Sequence, residues 1–308
     1  GAAAAAGSAA GAPPAEEEPA ADAGPSDDDE DDGEDGNDDF DVDFEFFDPN
    51  DDDFHSVNDM LKTGALDFLE LNYSQLSDSL VGLGNIGTLI KSSVGDAQDK
   101  DDTVCAVLTA LNLKQFTHTS WPKAIVDCVL DKAKVHAEAG VAEKLRALLE
   151  SKDSGTQVGL LVSERFANLP PELVAPLHQA LKDDIEWSET TPECPKEEQV
   201  FYRFTHFVGI ARCHKGAAPG AEGPRKKRAK AAAGRTAAAP AGELQFYRQE
   251  DEVYVREALH SYSFSKPVSG VPKKGEKQEW RTFFVITRKA LGKVVKGLQA
   301  LAEEGSKE

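Results

Sequence analysis

Residues 158–174 have the most informative pattern of hydrophobic and polar positions in the chain, and the other elements are predicted around them. Residues 158–162 are continuously apolar, which is typical of a strand buried on both faces of a sheet. The polar and aromatic residues 163–166 follow directly. Pro170 and Pro171 end the strand, because proline lacks a backbone donor and pushes the preceding residue out of the helical region. Pro171 also fits the first turn of a helix predicted over residues 172–187.

Two hydrophobic periods alternate along the remaining chain. Alternating apolar and acidic residues predict a half-buried strand over residues 40–46, and the apolar run 103–113 predicts a strand, with a helix as the open alternative. Further strands are predicted over residues 85–91, 200–212, 244–248, 253–264 and 280–287, with 244–248 and 253–264 paired as a hairpin. Helices are predicted over residues 54–71, 76–83, 125–133, 141–149, 172–187 and 288–303.

Strands and helices alternate within one region, which predicts a single α/β domain built on a mixed β-sheet flanked by helices. Two low-complexity segments set its boundaries. Residues 1–39 are predicted to be a disordered acidic tail, and residues 215–242 a flexible basic linker. The domain is then formed by residues 40–214 and 243–304.

The acidic charge of the chain lies at one end. The net charge is −21, and residues 1–53 contain 21 Asp and Glu but no Lys or Arg. The 34 remaining acidic residues balance the 34 basic residues, so the rest of the chain is formally neutral. A polyanionic tail of this kind is either a solvating spacer or an electrostatic attractor for basic proteins. Direct nucleic-acid binding is not expected, because phosphate affinity depends on cationic contacts.

A cluster of five cations lies in the predicted linker, at Arg225, Lys226, Lys227, Arg228 and Lys230. In a flexible Ala/Gly/Pro setting such a cluster is typical of a nuclear localisation signal read by an import receptor, or of a weak phosphate-binding patch. A plain solvated loop is the structural alternative. No aromatic residue lies within the cluster, so base stacking is not indicated.

The motifs associated with catalysis and cofactors are weak. Residues 82–87 match GxGxxG, but a predicted helix precedes them and a strand follows, the reverse of the dinucleotide-binding order. A helix-to-strand turn is therefore the favoured interpretation. The seven histidines show no metal-binding spacing, and the four cysteines are scattered without a CxxC pair. We expect no metal, no cofactor and no catalytic residue, and no apolar run is long enough to span a membrane.

The turn after the central strand is the candidate site for partner binding. Glu164 and Arg165 are either an ion-paired couple at a strand end or part of a recognition edge together with Phe166. The predicted partner-binding residues are Ser163, Glu164, Arg165, Phe166, Pro170 and Pro171.

The segment VGLLVSERFANLPPEL (158–173) resembles the signature of the BCCIP family, eukaryotic proteins named for binding a BRCA-type recombination protein and a CDK inhibitor. Residues 76–91, 104–113, 252–263 and 280–301 also resemble family segments in the same order, so the resemblance covers about residues 40–303. It implies a fold like that of the GCN-related N-acetyltransferases, without acetyltransferase activity. The sequence agrees on the second point, since residues 163–168 lack the glycines that let a backbone approach a cofactor phosphate.

The resemblance also implies a function, because yeast members of the family are nuclear chaperone and export factors. We expect a non-enzymatic nuclear protein, shuttling with the cytoplasm, that is a chaperone and transport adaptor for a basic client, a large-subunit ribosomal protein. Binding to recombination and cell-cycle proteins in DNA repair is the second hypothesis. An acyl-CoA-dependent N-acyltransferase is the alternative from another class. The sequence does not identify the client, the face that binds it or the oligomeric state.

Overall fold

The apolar runs of the sequence lie on the strands of one mixed sheet in a computed structural model, which describes residues 42–94, 103–215, 243–267 and 278–305. The strands are β1 (Val42–Phe47), β2 (Thr88–Val94), β3 (Thr103–Asn112), β4 (Val158–Arg165), β5 (His206–Lys215), β6 (Leu244–Phe246), β7 (His260–Ser265) and β8 (Glu279–Thr287). Their order is β1-β2-β3-β4-β5-β8-β7, and β6 pairs with the end of β5. Only the β4–β5 pair of this sheet is parallel. The predicted α/β class with a mixed sheet is confirmed.

Helices connect and cover these strands in the described ranges. Their bounds are α1 (Phe54–Thr63), α2 (Tyr73–Val81), α3 (Trp121–His136), α4 (Val141–Leu149), α5 (Val174–Ser188), α6 (Lys196–Tyr202), α7 (Gln249–Arg256) and α8 (Arg288–Gly305). Local signals explain several starts: the Asn72 side chain accepts from the Gln75 N–H at α2, and Pro122 lies in the first turn of α3. α8 buries Leu291, Val294, Val295 and Leu298, which share one helical face.

The parts of the chain before and after residues 216–242 contribute to the same sheet. β5 pairs with β6 at Cys213↔Phe246 and with β8 from His206↔Thr287 onwards. The predicted tail, residues 1–39, and nearly all of the predicted linker lie outside the described residues. The domain boundaries therefore stay predictions.

The prediction of one long strand over residues 200–212 is wrong. Helix α6 continues to Tyr202, and β5 begins only at His206. The aromatic and β-branched residues favour a strand locally, but Pro195 precedes the helix and two glutamates occupy its first turn. Both features stabilise a helix N-terminus.

The predicted hairpin of residues 244–248 and 253–264 is also wrong. Residues 249–256 form α7, and only His260–Ser265 is a strand. Glu250, Asp251 and Glu252 lie in the first turn of α7, where acidic side chains stabilise the helix dipole. The first half of the hairpin, β6, pairs with β5 instead.

Smaller differences concern element ends and the first strand. α1 ends at Thr63, eight residues before the predicted end of its helix, and β2 begins at Thr88 instead of residue 85. The predicted strand over residues 103–113 is confirmed as β3. The predicted half-buried strand over residues 40–46 corresponds to β1, but Val42 and Phe46 on its apolar face are exposed.

The GxGxxG segment lies between α2 and β2, so it is a helix-to-strand turn. Gly84 and Gly87 have φ values of 62° and 131°, a backbone region that residues with a side chain rarely adopt. A Cβ at Gly87 would also collide with the Thr109 side chain. The Gly87 N–H donates to the Asp184 carboxylate (3.1 Å), which fixes the turn to α5.

Candidate partner-binding site

The six predicted binding residues lie at the end of β4 and in the turn that follows it. β4 stays paired with β3 up to Arg165, and the Phe166 N–H still donates to the Cys105 carbonyl oxygen (2.9 Å). Pro171 opens a short 3-10 turn that leads into α5, so the prolines separate strand from helix as predicted. Phe166 is 44% exposed, Pro171 is exposed and Pro170 is half-buried. The turn therefore presents an apolar surface to solvent.

Glu164 is enclosed beneath the loop that follows α1. Its carboxylate accepts a hydrogen bond from the Ala65 N–H (2.6 Å) and lies 3.5 Å from the Arg248 guanidinium. Burial raises the pKa of Glu164, and the charge of Arg248 opposes this shift. A Cβ at Gly64 would collide with this carboxylate and with the Met60 carbonyl oxygen. Gly64 is therefore required by the close approach of Glu164.

Arg165 pairs with Glu250 at the start of α7. Its Nε and Nη2 donate to the two carboxylate oxygens at 2.6 and 3.1 Å, which is a bidentate ion pair. Glu250 is only 1% exposed. Burial favours a raised pKa for Glu250, but the hydrogen bond from Arg165 and the charge of Arg248 outweigh it and lower the pKa. Arg165 thus connects the β4 turn to α7.

Arg248 lies at the centre of these contacts. Its Nη1 donates to the Ser163 carbonyl oxygen, and its Nε and Nη2 donate to the Asp251 carboxylate at 3.0 and 2.9 Å. Glu164 and Glu250 lie 3.5 and 3.9 Å from the guanidinium. Burial disfavours the charged form of Arg248 and would lower its pKa, but the three carboxylates outweigh burial and raise the pKa of Arg248. Arg248 therefore stays charged inside the protein.

We refer to Glu164, Arg165, Arg248, Glu250 and Asp251 as the ion network. It contains two cations and three carboxylates. Burial raises the pKa of Asp251 to about 6; the charge of Arg248 opposes this shift, and the other two carboxylates reinforce it. Each charge depends on the others, because an unpaired charge at this depth is strongly destabilising. The network fixes the β4 turn against α7 and thereby the surface above it.

The central parallel pair of strands is split next to the network. β4 and β5 pair at three positions, from Val158↔His206 to Leu160↔Val208. Beyond them a cavity of about 20 Å³ remains, room for about one water molecule. The side chains around it include Arg248, Asp251, Tyr254 and Phe284. Side chains of α7 and β8 thus occupy the split and leave too little room for a cofactor.

A groove of about 780 Å³ lies over the outer side of the network. We call it the β4-turn groove. It is lined by part of the β4 turn and the start of α5 on one side, by Tyr247, Gln249 and Glu250 on the second and by the C-terminal half of α8 on the third. Tyr247 and Leu301 in its wall are 50% and 37% exposed. A concave surface that combines exposed apolar side chains with polar and charged groups suits the side chains of a protein partner.

The structure brings only part of the predicted site into this groove. Arg165 and Pro171 line it, Phe166 lies in the adjoining turn, and Glu164 is buried behind it. Whether these residues bind a partner stays a prediction. The predicted import residues Arg225, Lys226, Lys227, Arg228 and Lys230 lie outside the described residues.

Several residues of the groove and the network are absent from the sequence prediction, notably Tyr247, Arg248, Glu250, Asp251 and Leu301. Arg248 and Ser163 are 85 positions apart, so no local spacing indicates their contact. The acidic run at residues 250–252 was the available signal, because it favours a helix N-terminus at this point.

Other kinds of site receive little support from the described part of the chain. It contains no group of three or more His, Cys, Asp or Glu side chains arranged to hold a metal ion. Its four cysteines are free thiols, and three of them are buried. None of its helices combines the length and the apolar character needed to cross a bilayer.

Comparison with known proteins identifies relatives over most of the chain. A family model described as BCCIP matches residues 39–254. The chain is 32% identical over 235 residues to the protein BCCIP homolog of Arabidopsis thaliana, an alignment that covers 76% of this chain and 65% of that protein. It is 30% identical over 240 residues to protein BCP1 of Debaryomyces hansenii, covering 74% and 73% of the two chains. This chain therefore spans slightly less than two thirds of the Arabidopsis relative.

A mouse relative is named BRCA2 and CDKN1A-interacting protein, and it is 30% identical over 160 residues, half of each chain. Among solved structures, the crystal structure of BCP1 from Saccharomyces cerevisiae superposes with a TM-score of 0.53 at 17% sequence identity. The superposition covers 88% of this chain and 93% of that one, which shows a common fold. The matched family model and the relatives at 30% identity or more show that this chain belongs to the BCCIP family.

Proposed function

We propose that this chain is a non-enzymatic nuclear binding protein that acts as a chaperone and transport adaptor for a basic client in ribosome biogenesis and nuclear export. The observation that carries the proposal is the charge distribution, with 21 acidic and no basic residues in positions 1–53 and a formally neutral remainder. A polyanionic segment attracts a basic protein over a long range and competes with nucleic acid for it. A large-subunit ribosomal protein is the proposed client.

The acidic character continues onto the folded surface. The exposed carboxylates of β1 and the segment after it belong to Asp43, Glu45, Asp48, Asp51 and Asp52. Within the described ranges the ion pairs do not include any of these five. This surface therefore extends the field of the acidic tail to the domain itself.

The β4-turn groove supplies the second part of the proposed mechanism. Tyr247 and Leu301 offer apolar contact area that a solvated tail lacks. A client first attracted by charge would bury its apolar surface in the groove, which lowers its tendency to aggregate.

The test compares the full chain with a variant in which every Asp and Glu of residues 1–39 is changed to Asn or Gln. Both proteins are used to capture basic proteins from nuclear extract, and the affinity for the captured ribosomal protein is then measured at several salt concentrations. We expect weaker binding and a flatter salt dependence in the variant, because fewer charges are screened. Equal affinity of the two proteins at low salt would refute the electrostatic role of the tail.

Nuclear import through residues 225–230 is a separate part of the proposal. Alanine replacement of Arg225, Lys226, Lys227 and Arg228 is expected to move a fluorescently tagged chain out of the nucleus. Unchanged nuclear accumulation would show that this run is a solvated loop.

A second binding function is suggested by the name of the mouse relative, BRCA2 and CDKN1A-interacting protein. It would place this chain in DNA repair and cell-cycle control. Co-precipitation with recombination and cell-cycle proteins, in the presence of excess basic client, would separate this function from the first.

The enzymatic alternative is an acyl-CoA-dependent N-acyltransferase. A ligand that binds only the folded state raises its melting temperature, so a titration with acetyl-CoA in a thermal-shift assay tests it directly. The filled split between β4 and β5 leads us to expect no shift. Saturable stabilisation would favour the enzyme.

A further inference from the structure

The strand β1 forms an open edge of the sheet. Among the described residues it pairs only with β2, in a register that runs from Val42↔Val94 to Phe47↔Leu89. The opposite edge strand, β7, is covered by α3, where the Tyr262 hydroxyl donates to the Val129 carbonyl oxygen (2.5 Å). An uncovered edge presents backbone N–H and C=O groups that can pair with another extended chain.

The two faces of β1 differ in chemistry. On one face Val42 and Phe46 are 41% and 40% exposed, and Phe44 between them packs only partly against the core. On the other face Asp43 and Glu45 are exposed. An added strand would therefore meet apolar groups on one side of the sheet and carboxylates on the other.

The nearest cation does not neutralise this edge. Lys91 lies directly across from Glu45 on β2, but its ammonium group contacts Asp53 at 2.7 Å and the Phe47 ring at 5.0 Å. Asp43 and Glu45 have no ion-pair partner within residues 42–94, 103–215, 243–267 and 278–305. The negative charge of the edge is thus available to a partner.

These features decide between two kinds of partner strand. Pairing with β1 of a second copy would bring acidic side chains of both edges together, and like charges on neighbouring strands are destabilising. A segment that alternates cationic and apolar residues would place its cations near Asp43 and Glu45 and its apolar side chains near Val42 and Phe46. The electrostatic match therefore favours a basic, extended segment.

We propose that β1 accepts an extended segment of the basic client as an additional strand of the sheet. The inference rests on the proposed function, because it assumes a basic client that the acidic tail attracts. It adds how the client is held: main-chain hydrogen bonds provide affinity, and the alternating side chains provide specificity. The acidic tail leads directly into β1, so a client attracted by the tail is delivered to this edge.

The experiment uses the full chain and short synthetic peptides of alternating lysine and valine. Two isomers are N-methylated at alternate backbone positions, one on each edge of the extended peptide, so charge and composition stay equal. Strand addition uses only one edge of the peptide. We expect one isomer to bind like the parent peptide and the other to bind about tenfold more weakly or worse, because it lacks the donors for the ladder.

Two further measurements locate the binding. Amide hydrogen exchange should slow at residues 42–47 when the parent peptide binds. Glu45→Lys should weaken binding more than Glu143→Lys, which makes the same change in net charge at an exposed position on α4. Equal binding of both methylated isomers, or exchange protection elsewhere only, would refute strand addition.

The outcomes also separate this inference from the proposed function. Strand addition alone is refuted if basic proteins bind through the tail while β1 gains no protection. If neither the peptides nor basic nuclear proteins bind the full chain at low salt, the proposed function and the inference are both wrong.

Discussion

Replacing Arg248 by methionine tests whether the ion network holds the β4 turn against α7. The substitution keeps much of the apolar stem but removes the guanidinium that contacts three carboxylates and the Ser163 carbonyl oxygen. Arg165 would then be the one remaining cation of the network beside its three carboxylates. Breaking a buried ion pair by removing one partner costs about 3–5 kcal/mol. Asp251, whose pKa burial already raises to about 6, can limit this loss by taking up a proton, because the variant lacks the charge of Arg248 that opposes this rise.

We therefore expect Arg248→Met to lower the free energy of unfolding by about 3 kcal/mol at pH 7, measured by urea denaturation. For a domain of this size the melting temperature should fall by roughly 6–12 °C. The control is Arg256→Met at the end of α7, the helix that Arg248 precedes; the Arg256 side chain is 58% exposed and lies 3.8 Å from Glu257. An exposed ion pair contributes less than about 1 kcal/mol to stability, so Arg256→Met should lower the free energy of unfolding by less than that.

The double variant Arg248→Met/Asp251→Asn provides an internal check. Because Asp251→Asn removes one of the uncompensated carboxylates, the double variant should be more stable than Arg248→Met alone. If Arg248→Met destabilises the protein no more than Arg256→Met does, the network does not stabilise the turn and this reasoning is wrong.

Three further predictions concern single positions. The pKa of Asp251 is raised above its ordinary 3.8 to about 6, so the folded state binds this proton more tightly and the contribution of Asp251 to stability should increase as pH falls from 7 to 4. Asp251→Asn should reduce that increase in the free energy of unfolding by about 2 kcal/mol, measured by urea denaturation between pH 7 and 4. An unchanged pH dependence would contradict the raised pKa of Asp251. Gly64→Ala should lower the free energy of unfolding by about 1–3 kcal/mol, because the new Cβ would collide with Glu164. The control Gly292→Ala on α8 has open space around its Cβ and should stabilise the protein by up to about 1 kcal/mol. Equal effects of the two variants in thermal denaturation would count against the close contact of Gly64 with Glu164. Leu301→Asp should weaken client binding about tenfold in a binding titration, because it removes apolar contact from the β4-turn groove. The control Val135→Asp, at a 74% exposed position, should leave the affinity unchanged. Equal affinities of the two variants for the client would exclude the groove as the binding surface.

The β4 segment shows how much of the fold could be predicted from local sequence. The uninterrupted apolar run of residues 158–162 corresponds to buried positions of β4, and Pro171 marks the entry to α5. A strand that is buried on both faces does not need alternating apolar and polar residues, and proline restricts the backbone conformation wherever it occurs. Such signals act over a few residues, so the sequence contains them in full.

The region of α7 shows where this approach fails. Val253 to Phe264 contains enough β-branched and aromatic residues to indicate a strand, but a helix forms until Arg256 because buried contacts and three acidic residues in the first turn favour it. Three of the five residues of the ion network, Arg248, Glu250 and Asp251, lie on this helix or next to it. Because the sequence predicts a strand there instead of a helix, it did not indicate the partners of Glu164 and Arg165.

The sequence alone determined the mixed α/β class, the central strand with its proline turn, the concentration of negative charge before residue 54 and the resemblance to the BCCIP family. The first three follow from hydrophobic period, backbone limits of proline and a count of charges, all of which are local or additive properties, whereas the resemblance depends on matching sequence segments. Only the tertiary structure decided which charges meet, that side chains of α7 and β8 occupy the split between β4 and β5, and that β1 is an edge strand among the described residues. Those properties depend on contacts between distant segments, such as Arg165 with Glu250, 85 residues apart, and Arg281 with Ala65, 216 residues apart. These pairings exist only once the chain has folded.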